Sequence, residues 1–176
     1  MMSAPLEIGL SLGANLGDRA AALIDAVKRL RAGSDWMEQA LSAIYETEPV
    51  EVPDRFSGLA YYNAVAIGWF SGRDLARLSD WIHRIEADGG RVRGPERNAP
   101  RPLDIDVIYA GTRVIAEPDL RVPHPRWAER RFVVEPLAEV RPDLCLPGQR
   151  ETTTEILRRL PVRPAARRLT IPGWPP

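Results

Sequence analysis

Apolar positions along this chain recur at two spacings, and the switches between them outline its elements. Leu6 to Leu12 is almost unbroken apolar sequence and predicts a buried strand. It enters Gly13-Ala-Asn15-Leu-Gly17-Asp18-Arg19, a turn with two glycines and an Asp18 placed to cap a helix. From Arg19 to Arg31, Ala20, Leu23, Ile24, Val27 and Leu30 share one helical face, and Gly33 stops the helix. Glu38 to Tyr45 alternates loosely and predicts a second strand, followed by a polar, Pro-bearing loop from Glu46 to Gly58. Tyr61 to Phe70 reads as a third strand. Ser71 and Asp74 have capping-box spacing ahead of a helix that carries Leu75, Leu78, Ile82 and Ile85 and ends at Gly89-Gly90.

Leu103 to Ala110 is a further β-prone run, and a Gly111-Thr112 turn suggests a hairpin from it into Arg113 to Ile115. Beyond Pro118 the chain is punctuated by proline, with a short helix expected near Trp127 to Phe132 and another near Thr152 to Leu160. The order strand-helix-strand, strand-helix-strand permits a split βαβ, ferredoxin-like α+β fold: a mostly antiparallel sheet with helices on one face. Residues 1–160 are expected to form one domain. The last 16, with five prolines and three arginines, are expected to be an extended or partly disordered C-terminal tail.

Composition narrows the function classes. The formal net charge is zero, so no global field favours nucleic acid or an anionic membrane. Of 24 basic residues only Lys28 is a lysine, so no Gly-Lys-Ser/Thr phosphate loop is present. Cys145 is alone, which excludes a disulfide framework and a cysteine metal cluster, and His83 and His124 are the only histidines, too few for a histidine-based metal centre without carboxylates. The apolar run around Ile8 is too short to span a bilayer and lacks a basic flank, so a cytoplasmic protein is expected.

Chemistry concentrates in Arg91-Val-Arg93-Gly-Pro-Glu-Arg97-Asn-Ala-Pro-Arg101-Pro-Leu-Asp104-Ile-Asp106. Gly and Pro place the arginines on a loop, while Asp104 and Asp106 lie two apart on a strand and point the same way, roughly 6.5–7 Å apart. Such a carboxylate pair suits magnesium shared with substrate phosphates, and guanidiniums suit the phosphates themselves. The alternative is a solvated loop before an edge strand. Glu86, at the edge of its helix's apolar stripe, can accept from a ligand or pair with an arginine. Tyr61 and Asn63 share a strand face on which a flat heterocycle can stack while an amide reads its edge, and Thr47 stands nearby. Two prolines hold His124 rigid, and Arg130, Arg131 and Phe132 follow it. Together these residues describe a triphosphate site with metal beside a flat, hydrogen-bonding ring. No Ser or Cys stands beside a base, so direct transfer to a substrate hydroxyl is preferred over a covalent intermediate.

To about residue 160 the chain resembles the 6-hydroxymethyl-7,8-dihydropterin pyrophosphokinases of folate biosynthesis. The matching segments are Gly13-Ala-Asn-Leu-Gly-Asp-Arg19, Tyr45-Glu-Thr-Glu-Pro49, Tyr61-Tyr-Asn63-Ala, Arg84-Ile-Glu86, Gly90-Arg-Val-Arg93, Glu96-Arg97 through Asp106, and Val122-Pro-His124-Pro, with Arg130 and Phe132 beyond. The resemblance implies transfer of pyrophosphate from ATP to the pterin's hydroxymethyl oxygen, with release of AMP. It implies two magnesium ions on Asp104 and Asp106, and Arg91, Arg93, Arg97 and Arg101 on a loop closing over the reacting groups. Arg93 and Arg101 would touch phosphate directly and act with the two aspartates in catalysis. Asn63 would bond the pterin, Tyr61 and Phe132 would sandwich it, and Thr47 would border it through its backbone. Glu86, His124 and Arg130 would contact the nucleotide.

Departures from the family pattern are Ala14 for a common serine, Asn98 for a tryptophan, His83 for a glutamine, and Asp119 and Arg121 among the nucleotide contacts. They bear on ATP affinity and loop closure rather than on the metal pair. Two other readings compete: a nucleic-acid module on a similar sheet, and a pterin or nucleotide binder without transferase activity. Small-molecule substrates, no membrane partner and a monomer, with a homodimer as the alternative, are the expected state.

Overall fold

A computed structural model describes residues 4–33, 35–49, 58–72, 74–91, 100–118 and 120–176. Arg93, Arg97, Asn98 and Asp119 lie outside the described residues, as does most of the loop expected from Glu46 to Gly58.

Strand β1 (Leu6–Ala14) follows the first apolar run and extends it by two residues. It leads through Gly17, at φ +64°, into helix α1 (Arg19–Ala32), whose first turn is capped as expected: the Asp18 carboxylate accepts from the Ala21 N–H at 3.0 Å. The expected second strand is split into β2 (Trp36–Leu41) and β3 (Ile44–Thr47), both paired with the long strand β4 (Tyr61–Phe70). At the break, the Ser42 hydroxyl accepts from the Val65 N–H, satisfying a donor that an uninterrupted strand would have bonded. Helix α2 (Leu75–Asp88) begins without the expected capping box. Asp74 itself is the cap, accepting from the Ala76 N–H, and the Ser71 hydroxyl donates to Asp35 instead.

Strand β5 (Asp104–Ala110) lies against β1. Gly111 turns with φ +54°, but the expected hairpin onto β5 does not follow. Residues Ile115–Ala116 (β6) pair with Arg121–Val122 (β7) in a separate two-stranded sheet. The short helix expected near Trp127 is a 3-10 turn, Trp127–Glu129, followed by a full helix α3 (Arg131–Val140). Pro136 inside α3 obscures its periodicity in the sequence. Burial of Val133, Val134 and Leu137 outweighs the lost backbone hydrogen bond. Helix α4 (Thr153–Arg159) has a complete Thr152/Glu155 capping box. Residues 161–176, expected as an extended or disordered tail, contribute strand β8 (Ala166–Leu169) to the main sheet, and the Trp174 indole donates to the Ser42 carbonyl at 2.9 Å.

The main sheet runs β5-β1-β4-β3-β8 with β2 also on β4, every pairing antiparallel. The β1-α1-β2/β3-β4-α2-β5 order and sheet arrangement are the split βαβ, ferredoxin-like pattern. Helices cover both faces, however, where the sequence suggested one. Ile8, Leu10 and Leu12 of β1 and Ala64 and Ala66 of β4 pack against Leu23, Val27 and Leu30 of α1 and Leu78 and Ile82 of α2. Val65, Ile67 and Ile108 pack against Val133, Val134 and Leu137 of α3 and Ile156 of α4. A register shift between Gly9 and Leu10 leaves Ile108 as an extra residue in β5, so Ile108 and Tyr109 both enter the second cluster.

Candidate active site

Strand period two decides what the second face offers beyond the cover of α3. On β1, the side chains alternating with the first core are Gly9, Ser11 and Gly13. The Tyr109 ring packs over Gly9 as filled core, whereas Ser11 and Gly13 leave a floor. Gly13 sits between Asn63 on β4 and Asp104 on β5, and a Cβ on it would stand 3.3 Å from the Asn63 amide oxygen. Over this floor opens a cavity of about 400 Å³. Thr47, Tyr61, Asn63, Glu86, Arg91, Arg101, Asp104, Asp106, His124, Arg130 and Phe132 all line it; Arg131, grouped with them in sequence, turns away and pairs with Glu135 at 2.8 Å. Ser11, Gly13, Glu48, His83 and Ile105 complete the lining.

One end of the cavity is ionic. Asp104 and Asp106 share a face of the edge strand β5, as period two requires. The Arg91 and Arg101 guanidiniums both donate to Oδ1 of Asp104, the second at 3.0 Å, leaving Oδ2 without a hydrogen bond from a described residue. Asp106 has no hydrogen-bond or ion-pair partner among the described residues. Burial, and next the charge of Asp104, push its carboxyl up to about 6, with Arg130 pulling the other way. The pair is therefore short of positive charge at Asp106. No group of three or more His, Cys, Asp or Glu side chains among the described residues forms a self-sufficient cation site. Two carboxylates with free oxygens on one cavity wall fit magnesium, which fills its remaining positions with phosphate oxygen and water.

Glu86 is only 2% exposed and acts behind this wall. One of its oxygens accepts from the Ile105 N–H at 2.9 Å, between the two aspartates, and also pairs with Arg91. A buried carboxylate at the end of α2 thus fixes both β5 and the guanidinium that meets Asp104. Asn15 went unnoticed in the sequence reading. It is 4% exposed, its Oδ1 accepts from the Arg101 N–H at 2.8 Å, and its own N–H donates to the Arg101 carbonyl. Its Nδ2 has no hydrogen-bond partner among the described residues. An asparagine inside a glycine turn was the available signal, since its amide mimics backbone.

The other end holds Thr47, Tyr61, Asn63 and Phe132. Asn63, almost wholly buried, donates from Nδ2 to the Thr47 hydroxyl at 2.7 Å. Thr47 lies opposite Tyr61 in the β3–β4 register. The Thr47 side chain therefore pairs with Asn63. Tyr61 is half-buried, and burial raises its phenol. Phe132 faces the cavity from the first turn of α3, with the Arg130 guanidinium 5.6 Å from its ring centre. His124 follows the Val122–Pro123 cis bond, and its N–H donates to the Ile108 carbonyl at 2.8 Å. Its Nδ1 accepts from the Arg126 N–H, which leaves Nε2 to carry the ring proton. Burial, then Arg130 and Arg126, hold its pKa down at about 4, so the ring is neutral near pH 7.

Fold and site define a class: a ferredoxin-like α+β domain with an acid-and-arginine wall facing two aromatic side chains and a buried carboxamide across one cavity. Residues 9–142 match the family model of 7,8-dihydro-6-hydroxymethylpterin-pyrophosphokinase (HPPK), and the chain belongs to that family. It is 40% identical over 152 residues to the 2-amino-4-hydroxy-6-hydroxymethyldihydropteridine pyrophosphokinase of Methylorubrum extorquens, covering 86% of this chain and 91% of that protein. To the Bacillus subtilis protein of the same name it is 34% identical, covering 82% and 81%. To the folic acid synthesis protein FOL1 of Dictyostelium discoideum it is 35% identical over 86% of this chain but only 22% of the larger protein. The chain thus spans about a fifth of that relative and 18% of fol1 of Pneumocystis carinii. A Plasmodium falciparum HPPK-DHPS structure superposes with TM-score 0.69 at 13% identity over 88% of this chain and 45% of that one, a likeness of fold. No helix among the described residues is long and apolar enough to cross a membrane.

Proposed function

We propose that the chain transfers the terminal pyrophosphoryl group of ATP to the hydroxymethyl oxygen of 6-hydroxymethyl-7,8-dihydropterin, giving AMP and the pterin diphosphate in folate biosynthesis. The observation that carries this reading is that the Asp104/Asp106 wall and the Thr47–Asn63 pair with Tyr61 and Phe132 open into one cavity. The pterin hydroxyl oxygen bonds to the β-phosphorus and loses its proton to solvent. The bond from that phosphorus to the α,β-bridging oxygen breaks, and AMP leaves with the oxygen.

Asn63, fixed by Thr47, hydrogen-bonds the pterin edge while Tyr61 and Phe132 hold its faces, so the hydroxyl is presented in line. Arg101 and Arg130 neutralise the spreading phosphate charge, and neutral His124 donates to phosphate from Nε2. Arg91 holds Asp104 in place and reaches the nucleotide. Glu86 serves the nucleotide side through Arg91 and β5 rather than by direct contact. Arg93 and Arg97 join the phosphate partners, and Arg93 the catalytic set, on the family resemblance alone. Asp104 and Asp106 would hold two magnesium ions, which when bound with ATP neutralise its phosphates.

The test is AMP release from ATP and magnesium on addition of the dihydropterin alcohol. Wild type should form AMP only with the pterin present, and Asp104→Ala should abolish turnover while its urea midpoint shows a folded protein. Pterin-independent AMP formation, or near-normal turnover in Asp104→Ala, would overturn the reading.

A further inference from the structure

The segment Gly13-Ala-Asn-Leu-Gly-Asp-Arg19 ends on an arginine whose contacts neither the cavity nor the helix cap accounts for. Arg19 opens α1 on the opposite face of the sheet and does not line the cavity. Its guanidinium nevertheless makes three contacts, all at the base of the β3–β4 connection. NH1 donates to the Ala60 carbonyl at 2.8 Å, the group lies 3.9 Å from the Tyr62 ring centre, and Glu46 stands 3.7 Å away. Glu46 and Tyr62 face each other in the β3–β4 register, and the next pair along is Thr47 and Tyr61. Adjacent strand positions point to opposite faces. Arg19 therefore grips the back of the two strand ends whose front presents Thr47, Tyr61 and Asn63 to the cavity.

Glu46 is held from a second side by the Arg167 guanidinium of β8. Its carboxylate is bracketed by α1 and by the C-terminal strand. Arg19 is about a quarter exposed, so the grip is partly shielded from water, and the planar guanidinium both stacks and donates. The 13 residues between Thr47 and Tyr61 form a connection far longer than a hairpin turn. Ends of so long a connection have no register imposed by the turn itself, so a cross-link at its base has something to fix.

We propose that Arg19 is a positioning residue for the pterin subsite: from the rear of the sheet it clasps Glu46, Ala60 and Tyr62 and so sets the spacing of Thr47 and Tyr61. This rests on the pterin reading above. Arg19→Ala should raise KM for the dihydropterin alcohol about tenfold, the scale of one charge-assisted hydrogen bond, with KM for ATP changed by less than about twofold. Arg19→Lys, which keeps the charge but not the planar stack, should recover part of the loss. Amide hydrogen exchange at Glu46, Thr47, Tyr61 and Tyr62 should quicken in Arg19→Ala while the α3 amides stay protected. Glu46→Gln, a milder change, should shift the same amides and the same KM in the same direction, which covers a failure of Arg19→Ala to fold. Unchanged exchange at the strand ends, or pterin and ATP KM values rising together in a folded variant, would overturn the clasp. If wild type neither binds pterin nor makes AMP, the pterin reading fails, while the exchange measurement still decides whether Arg19 fixes these strand ends.

Discussion

Glu86→Ala probes the element that holds the ionic wall together. The carboxylate is 2% exposed and accepts from both the Ile105 N–H and Arg91. Removing it leaves a buried backbone donor unpaired, costing about 1–3 kcal/mol. It also breaks a buried ion pair, a change that costs about 3–5 kcal/mol when the partner is left uncompensated. Here Arg91 keeps Asp104, and its side chain is 17% exposed, so the second cost is only partly incurred. The sum comes to about 3 kcal/mol, roughly 6–12 °C in Tm for a domain of this size. Glu86→Gln retains an acceptor for Ile105 and loses only the charge, so it should cost about half as much. Urea unfolding followed by circular dichroism at pH 7 measures both, with equal m-values required for the comparison. A loss below about 1 kcal/mol in Glu86→Ala would refute the assignment of this carboxylate as the anchor of β5. So would a Gln variant as damaged as the Ala variant, since the charge rather than the acceptor would then carry the whole effect.

Two further outcomes follow from the same wall. Asn15→Ala removes the acceptor for the Arg101 N–H but also an unpartnered amide donor, so stability should fall by only about 1 kcal/mol; turnover should fall several-fold more than stability implies, because residues 101–104 lose their anchor, and wild-type turnover in this variant would refute the anchoring role. His124 has its pKa held at about 4 when folded, below the ordinary 6.5, so the folded state binds fewer protons between those values. Its contribution is full above about pH 6.5 and is lost as pH falls towards 4, on the order of 1–2 kcal/mol for a ring still in part open to water. Urea unfolding of wild type and His124→Gln at several pH values should show the steeper acid loss in wild type; parallel curves would show that His124 is not buried neutral.

Local period and residue chemistry made much of this protein legible before its structure. The run Tyr61 to Phe70, read as a strand, delimited β4 at the residues where it begins and ends, and the 3.6-residue stripe placed α1 and the body of α2. Two aspartates at strand spacing had to share a face, and they do. Eleven of the described site candidates line one cavity, while Arg131 turns to Glu135 instead. What stayed hidden depended on contacts between distant segments. An apolar stripe says that a face is buried, not against what, so only the assembled sheet could place α3 and α4 opposite α1 and α2. A Pro-rich tail looks unstructured until an unpaired strand edge is there to receive it, as β3 receives β8. The same holds for Asn15 and Arg19, and for the Ile105 N–H that Glu86 accepts. Asn15 and Arg19 are ordinary polar residues in sequence, and their roles come from backbone groups that folding brings to them from 86 and 41 residues away; Glu86 was legible as a helix-edge carboxylate beside Arg91, but its hold on β5, 19 residues away, was not. Hydrophobic period is a property of a segment, and the sequence alone determines it. Satisfying a buried polar group takes two segments, and only the tertiary structure decides which two meet.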